Sequence, residues 1–433
     1  MTDARYEAVK LLGKTFGRGS YSNILLDGAL AKSDMDERDK RLCSAIYYGT
    51  LERKITLDFI ISKYCRQKIT KLRPEILNIL RTGIYQLKFM DSIPDSAAVN
   101  ESVNLTKKLR LNSLSGFVNG VLRSFIRDGK KIKYPENYIE RLSVEYSVPL
   151  YLVKLLLDNY GEDGISLIET SLGSPPVTVR LNTLVYNRDE ILKEISELEP
   201  KKTLIEDCYE IFSLDITKIS AYKKGMFHVQ DIASQLCCMA LCPEAGDTVL
   251  DLCAAPGGKT FTIAEQMRGK GIIYSFDLHE SRVKLIASGA ERLKLGNIRA
   301  LTGNAAEFNT DIPKADKILC DVPCSGLGVI RRKPEIKYKS FEEFDRLPEI
   351  QYNILENASH YLKTGGELIY STCTVNPAEN EGVVDRFLIN HPEFEGSVFL
   401  ENLGFPFGTY KATLFPKYFG SDGFFISKLK KME

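Results

Sequence analysis

The chain has 433 residues, 44% of them hydrophobic and 27% charged, with a formal net charge of +1. That length predicts two or three domains, and the composition is that of an ordinary soluble protein, not a disordered or fibrous one. No apolar run reaches transmembrane length, MTDARYEAVKLLGKTF lacks a signal-peptide core, and ten cysteines over this length do not make a secreted disulfide framework; cytoplasm is the expected compartment.

The small net charge conceals an asymmetry. Residues 1–130 hold 23 Lys/Arg against 14 Asp/Glu, whereas residues 131–433 hold 35 against 43. This division suits a basic recognition module for nucleic acid joined to a less basic catalytic module. Its cations would give phosphate affinity and docking, not base specificity. Solvated helix faces are the plain alternative.

Along the first 130 residues apolar positions recur every three or four in YEAVKLLGKTF, RDKRLCSAIYYGTLERKITLDFIISKY, PEILNILRTGIYQLKF, AAVNESVNLTKKL and GFVNGVLRSFI, which predicts helices. Pro74, Pro94 and the turn at 111–115 divide them into a bundle with short connections; Asp95 or Ser96 is the candidate cap after Pro94. There is no fixed-period repeat, so the chain is not a helical solenoid. Residues 131–225 start with helix-like YIERLSVEYS and YLVKLLLDNYG. SPPVTVRLNTL is then the first strand signal, and with RDEILKEISEL and weaker strands near YEIF and GMFHVQ it predicts a small α/β subdomain. From 226 the rhythm is strand–helix–strand: DTVLDLC, KTFTIAEQM, GIIYSFD, ESRVKLIASGAERL, NIRALTG, KILCD, GELIYST and a last strand FFISKLK. Such alternation specifies a mostly parallel, doubly wound sheet with its ligand crevice beyond the strand C-termini. Asp251, Asp277, Asn304, Asp321 and Cys373 should therefore share one rim.

Ala254-Ala255-Pro256-Gly257-Gly258-Lys259 joins the first of these strands to its helix. Its glycines permit close backbone approach, and helix-start amides bind polar cofactor groups; it has neither phosphate-loop nor GxGxxG spacing. Asp277 ends the second strand, where a carboxylate can accept from ribose hydroxyls. Asn304 follows the third, where it can bond an adenine edge or simply satisfy its own turn. Together they favour a nucleoside-bearing cofactor over free phosphate. Cys324, in the string DVPC begun by Asp321, and Cys373, in STC, each follow a buried-looking strand. Two thiols and a carboxylate at one cofactor crevice suit covalent attack on an electrophilic ring. The residues alone leave open which cysteine attacks.

Cys43, Cys65, Cys208, Cys237, Cys238, Cys242 and Cys320 read as packing. No clustered Cys/His pattern supports a metal site, and the scattered His228, His279, His360 and His391 receive no role. Arg331, Arg332 and Lys333, with Lys337 and Lys339 beyond Pro334, form a basic segment placed to contact phosphates beside a target base. Arg180 and Asn182 at the small-subdomain boundary, and Gln230 and Ser234 on the crevice floor, are further substrate-binding candidates. A base undergoing such chemistry must leave its stack.

These strings together resemble one family over essentially the whole chain: the bacterial 16S rRNA cytosine-5 methyltransferases of the RsmB (Sun/Fmu) type. The resemblance is carried by GTLERK, FVNGVLR, VRLN around Arg180, QDIASQL, DLCAAPGGKT, DVPCSGLGVIRRKPEIKY and STCTVNPAENE. It implies a NusB-like all-α RNA-binding domain over 1–130. Linker helices and a small α/β subdomain follow over 131–225, then a Rossmann-like methyltransferase domain over 226–433. It implies S-adenosyl-L-methionine as cofactor, held by Cys253, Ala254, Ala255, Pro256, Gly257, Gly258 and Lys259, with Asp277 at its ribose. Asn304 stands where the family commonly has aspartate, and Asp321 lies between cofactor and base. The resemblance makes Cys373 the nucleophile at cytosine C6 and gives Cys324 proton elimination or product release. Asp321 would read the N3/N4 edge. The implied substrate is 16S rRNA, free or in a partly assembled small subunit, at the cytosine the family calls 967, and a monomer is expected. A tRNA cytosine-5 methyltransferase is the alternative enzyme. An RNA-binding ribosome-assembly or antitermination factor is the alternative without catalysis.

Overall fold

The computed structural model describes residues 3–18, 22–173, 175–212, 215–404 and 406–432. The chain packs as two units, Met1–Gly173 with Ile330–Lys339, and Ser174–Val329 with Ser340–Glu433. The linker helices and small α/β subdomain read over 131–225 are divided between these two units. The helices Tyr138–Tyr146, Leu150–Tyr160 and Glu162–Glu169 fall in the first unit and the strands in the second.

The first unit is helical. Pro74–Phe89 lies at its centre, buried at Ile76, Ile79, Leu80, Ile84 and Leu87, and surrounded by the apolar faces of Lys54–Tyr64, Asp95–Lys108 and Ser115–Arg127. Within it Arg81 makes a two-pronged bond to Asp58, Nε to Oδ1 at 2.7 Å and Nη2 to Oδ2 at 2.8 Å. The long helical pattern after Asp36 is broken at Arg53 into Glu37–Glu52 and Lys54–Tyr64, and Ser22–Ala31 is an additional helix. Neither Asp95 nor Ser96 caps: the helix begins at Asp95 behind Pro94 without a side-chain cap, and the Asp95 carboxylate pairs with Lys130 at 3.0 Å.

Within the basic segment expected to contact phosphates, Lys337 is buried and committed to the protein itself. Pro334–Tyr338 is a short 3-10 helix, and Pro334, Glu335, Ile336 and Lys337 are all buried. The carbonyls ending Glu37–Glu52 lack intrahelical donors, and this segment supplies them. Lys337 Nζ donates to Glu52 O at 2.9 Å and Tyr338 Oη to Leu51 O at 2.8 Å. Glu335 in turn accepts from the Ser22 amide and hydroxyl, at 3.1 and 2.8 Å. Lys337 read as a phosphate contact because its charge was counted without the helix end that absorbs it.

In the second unit, β1 (Val177–Leu181), β2 (Lys201–Lys202), β3 (Cys208–Ile211) and β4 (Phe227–Val229) form an antiparallel sheet ordered β2-β3-β1-β4. The large sheet comprises β5 (Thr248–Asp251), β6 (Ile272–Asp277), β7 (Ile298–Thr302), β8 (Ala315–Asp321), β9 (Leu362–Thr372), β10 (Phe394–Gly396), β11 (Lys411–Leu414) and β12 (Phe424–Lys431). Its order is β10-β12-β9-β8-β5-β6-β7, with β11 also on β12. The five strands β5 to β9 pair in parallel, and β12 returns antiparallel beside β9. Leu319, Ile369 and Ile426 point to one core with Leu236, Ile263 and Ile286; Ile318, Cys320, Leu368, Tyr370 and Phe425 point to the other with Leu355 and Phe387. Both faces are covered, so the strands read as apolar runs. Chain order reverses between β5 and β8, which places a crevice at their C-terminal ends.

Lys337 gives this fold a measurable signature. Burial pulls its ammonium down to about 7 from an ordinary 10.5, although Glu52 opposes the fall. Below pH 7 both folded and unfolded chains hold that proton; between about 7 and 10.5 only the unfolded chain does. This group therefore adds stability as pH rises through that window. Lys337→Met should remove that increment, seen as a smaller rise in urea midpoint between pH 7 and 10 than the parent shows.

Candidate active site

The turn Cys253–Lys259 leaves β5 and enters helix Gly258–Gln266. Gly257 has φ 110° and its absent Cβ would lie 2.4 Å from the Phe261 ring, so this bend requires glycine. Beside the turn is a cavity of about 210 Å³, lined in part by Gln230, Ser234, Asp251, Cys253, Lys259 and Asp321. Asp251 is fully buried, and its Oδ2 accepts from Thr260 Oγ1 at 2.6 Å. Its Oδ1 has no hydrogen-bond partner. Burial raises this carboxyl to about 7, with Thr260 opposing and Asp321 adding to the rise.

Parallel pairing of β8 with β9 sets Asp321 opposite Ser371. Ser371 Oγ donates to Asp321 Oδ1 at 2.9 Å and Lys259 Nζ to Oδ2 at 2.7 Å. Burial alone would lower the Lys259 ammonium, but Asp321 holds it above its ordinary value. Beyond these strand ends the two thiols meet: Cys324 Sγ and Cys373 Sγ are 3.3 Å apart. Their mutual hydrogen bond, with burial, pushes the Cys324 thiol well up. Burial also raises Cys237, Cys238, Cys253 and Cys320, which keeps those thiols protonated and unreactive.

Other candidates fall in different surroundings. Asp277, at the end of β6, is 4% exposed and accepts from Arg282 at 3.0 Å and from the His279 amide at 3.2 Å. Asn304 closes its own turn, Oδ1 accepting from Ala306 N at 3.1 Å and Nδ2 donating to Glu307 at 2.7 Å. It also lines a separate cavity of about 290 Å³ with Phe276, Phe308 and Tyr361. Gln230 accepts from Thr262 Oγ1 at 2.5 Å while lining the first cavity.

Arg180 and Asn182 are not presented to that cavity. Arg180 Nε is bound to Glu265 at 2.7 Å, beside buried His228, whose imidazole burial and the Arg180 charge hold down at about 3. Asn182 is fully buried and donates to Gly225 O and Leu293 O, at 3.0 and 2.8 Å. A strand residue's partner 85 positions away cannot be read from local pattern, which is why a buried ion pair passed for a surface arginine. Arg331 and Arg332 are half-buried and Lys333 exposed, in the first unit. Among the described residues no group of His, Cys, Asp and Glu is arranged to hold a metal ion, and no helix is long and apolar enough to cross a membrane.

Sequence reasoning gave no role to Glu379. It has no solvent exposure and gathers three donors: Ser325 N at 2.8 Å and Gln351 Nε2 at 2.9 Å on Oε2, and Asn376 Nδ2 at 2.9 Å on Oε1. Ser325 directly follows Cys324, Asn376 lies three residues after Cys373, and Gln351 also holds Pro323 O at 3.0 Å. The signal available was the string NPAENE at 376–381, shortly after the second cysteine, where a helix Glu381–Asn390 begins.

Residues 238–430 match the 16S rRNA methyltransferase RsmB/F family, and residues 2–127 match the NusB family. Over 444 aligned positions the chain is 38% identical to the probable ribosomal RNA small subunit methyltransferase B of Bacillus subtilis (strain 168), covering 99% of both. It is 34% identical to the protein of the same description from Synechocystis sp., covering 100% of both. The solved protein PH0851 superposes with a TM-score of 0.81 at 26% identity, over 99% of this chain and 98% of that one. With end-to-end likeness of this kind, and with a doubly wound α/β sheet behind an all-α region, the chain belongs to the RsmB/F family of rRNA (cytosine-C5)-methyltransferases and carries that family's NusB-like amino-terminal region.

Proposed function

We propose that the enzyme transfers a methyl group from S-adenosyl-L-methionine to C5 of a cytosine in 16S rRNA, at the position the family calls 967. Cys373 is the nucleophile and Cys324 takes part in elimination. The observation that carries this reading is the 3.3 Å approach of the two sulfurs beside the Lys259–Asp321 pair. The rRNA substrate is supported by the small-subunit methyltransferases to which the chain is 38% and 34% identical.

The cavity at the β5 turn suits the cofactor. Its Asp251 carries an unpartnered Oδ1 and a carboxyl raised to about 7 by burial, so a cationic group placed there would restore the carboxylate and gain a charge-assisted bond. When bound, S-adenosylmethionine supplies an electrophilic sulfonium methyl. Cys253 to Lys259 would line its site, with Asp277 at the ribose.

The thiol pair is unequal. Cys324 keeps its proton, because a charge on it would face the other sulfur. Its S–H can then donate to a Cys373 thiolate, formed by loss of the Cys373 proton to solvent. That thiolate would form a bond to C6 and move the 5,6 π pair onto C5, which would take the methyl group while the S–CH3 bonding pair stays on the donor sulfur. Cys373 is by then a thioether, and the negative neighbour that held up Cys324 is gone. Cys324 can lose its proton to solvent, accept the one leaving C5, and let the S–C6 pair return to Cys373. Asp321, with Lys259 and Ser371 already on its two oxygens, retains lone pairs for the cytosine N4–H₂ donor; uracil offers an oxygen there and would be repelled. Glu379 acts through others, as the positioning residue for both cysteine loops.

Methyl transfer to protein-free 16S rRNA, with the product nucleotide mapped and intact tRNA as competitor, should give one 5-methylcytosine in the rRNA; label in tRNA alone would overturn the substrate. Cys373→Ala should reduce transfer by about a thousandfold or more, in the range of a lost nucleophile. Cys324→Ala should instead accumulate a covalent protein–RNA adduct, retarded on a denaturing gel, and the opposite pattern would exchange the two roles. Glu379→Ala strands three donors at about 1 kcal/mol or more each, so urea unfolding should show a loss of about 3 kcal/mol.

A further inference from the structure

The first unit contains a groove of about 570 Å³ lined by Phe59, Ile60, Lys63, Tyr64, Asp128, Lys131, Ile132 and Lys133. Its floor is apolar, buried at Ile60 and half-buried at Phe59 and Ile132, and its three lysines are exposed. Lys131 and Lys133 are two apart, with half-buried Ile132 between them belonging to the helical core. An extended stretch places such alternate side chains on one side about 6.6 Å apart, twice the rise per residue, a spacing on the scale of successive phosphates along a nucleic-acid strand.

The remaining wall is held in place before anything binds. Lys63 sits over the Phe59 ring at 4.6 Å. Tyr64 meets Phe125 edge-on, with centroids 5.9 Å apart, and its hydroxyl donates to Asp128 Oδ2 at 3.1 Å. A tyrosine fixed at both ends is a rigid stacking face beside three cations. Rigidity matters because a platform already ordered loses little entropy on binding.

We propose that this groove is a second RNA-docking site, which holds an unpaired stretch of the substrate through phosphates on Lys63, Lys131 and Lys133 and one base stacked on Tyr64. The inference rests on the RNA-methyltransferase reading above. Asp128 argues for RNA over an acidic side chain, because its carboxylate can accept from a ribose 2′-hydroxyl, a donor that an ionised carboxylate lacks.

The test uses the full chain, with Lys63→Glu, Lys131→Glu and Lys133→Glu combined and with Tyr64→Ala alone. For methyl transfer to protein-free 16S rRNA, the triple variant should keep the parent kcat and raise KM at least about tenfold. Its binding to a labelled unpaired oligoribonucleotide should lose about 2 from the log–log salt slope, the share of three phosphate contacts on a single strand. Tyr64→Ala should weaken binding about tenfold with the slope unchanged. A KM and a salt slope equal to the parent's in the triple variant would overturn the site. So would polyglutamate displacing the oligoribonucleotide from the parent as well as unlabelled RNA does, which would mark an acidic-protein surface. Because binding is read separately, a parent that methylates no RNA would sink the functional reading while the groove is still decided by its own measurement.

Discussion

Glu379 is a carboxyl with no solvent exposure, and the need to partner its oxygens organises the reactive end of the large sheet. A buried carboxylate is tolerated only when its lone pairs are filled, and here the donors come from the loop after Cys324, the loop after Cys373 and helix Leu347–Ser359. The strands alone do not do this work. Pairing of β8 and β9 sets the register as far as Asp321 and Ser371, but both sulfurs lie beyond that ladder. Further bonds close the gap: Ser325 Oγ to Thr374 Oγ1 at 2.7 Å, and Gly328 N to Cys373 O at 3.0 Å. A side chain at Gly328 would place its Cβ 1.9 Å from Gly423 O, so this loop threads a gap that only glycine fits. The distance between the thiols follows from these contacts and not from the cysteines themselves.

Electrostatics at the same rim follow from one lysine serving two carboxyls unequally. Lys259 is committed to Asp321 at 2.7 Å, while Asp251, deeper and bonded to a neutral hydroxyl, is raised to about 7. Near neutral pH the crevice thus holds one firm ion pair and one carboxyl that a cation can recharge. A site built this way gains more from a positively charged ligand than from a neutral one of the same shape. The thiols show the same logic: with the sulfurs 3.3 Å apart, ionising one raises the cost of ionising the other, and that inequality suits the proposed division of nucleophile and proton-handling roles.

The parallel strands were legible because both faces are buried, so DTVLDLC, GIIYSFD and GELIYST read as apolar runs between turns. The bend at Gly257 was legible because a positive φ leaves a glycine in the text. Arg180, Asn182, Glu265 and Glu379 were not. Each is polar, three are buried and Arg180 is half-buried, and each is explained by a partner far along the chain: Arg180 by Glu265, and Glu379 by Ser325 and Gln351. Local pattern separates apolar from polar; it does not separate a polar residue facing water from one facing a distant partner. The break at Arg53 was missed for a related reason, since helix spacing continues across it and only the tertiary packing interrupts it.

The basic character of the helical unit illustrates where counting charges stops being informative. Lys337 belongs to this unit yet is fully buried and spends its ammonium on the carbonyl of Glu52; Arg81 is taken up by Asp58; Lys130 faces Asp95. Lys63, Lys131 and Lys133 differ in having their charges exposed around an apolar floor with an immobilised aromatic wall. The excess of 23 cations over 14 anions in the first 130 residues, and the lysines that residues 131–133 and 330–339 add to the same unit, are therefore not one uniform field. Some close a helix end or an ion pair, and those that stay solvent-facing are the ones able to exchange counterions for phosphates. Recognition of RNA by this unit should accordingly be governed by where the unspent cations border a stacking surface, and not by the total.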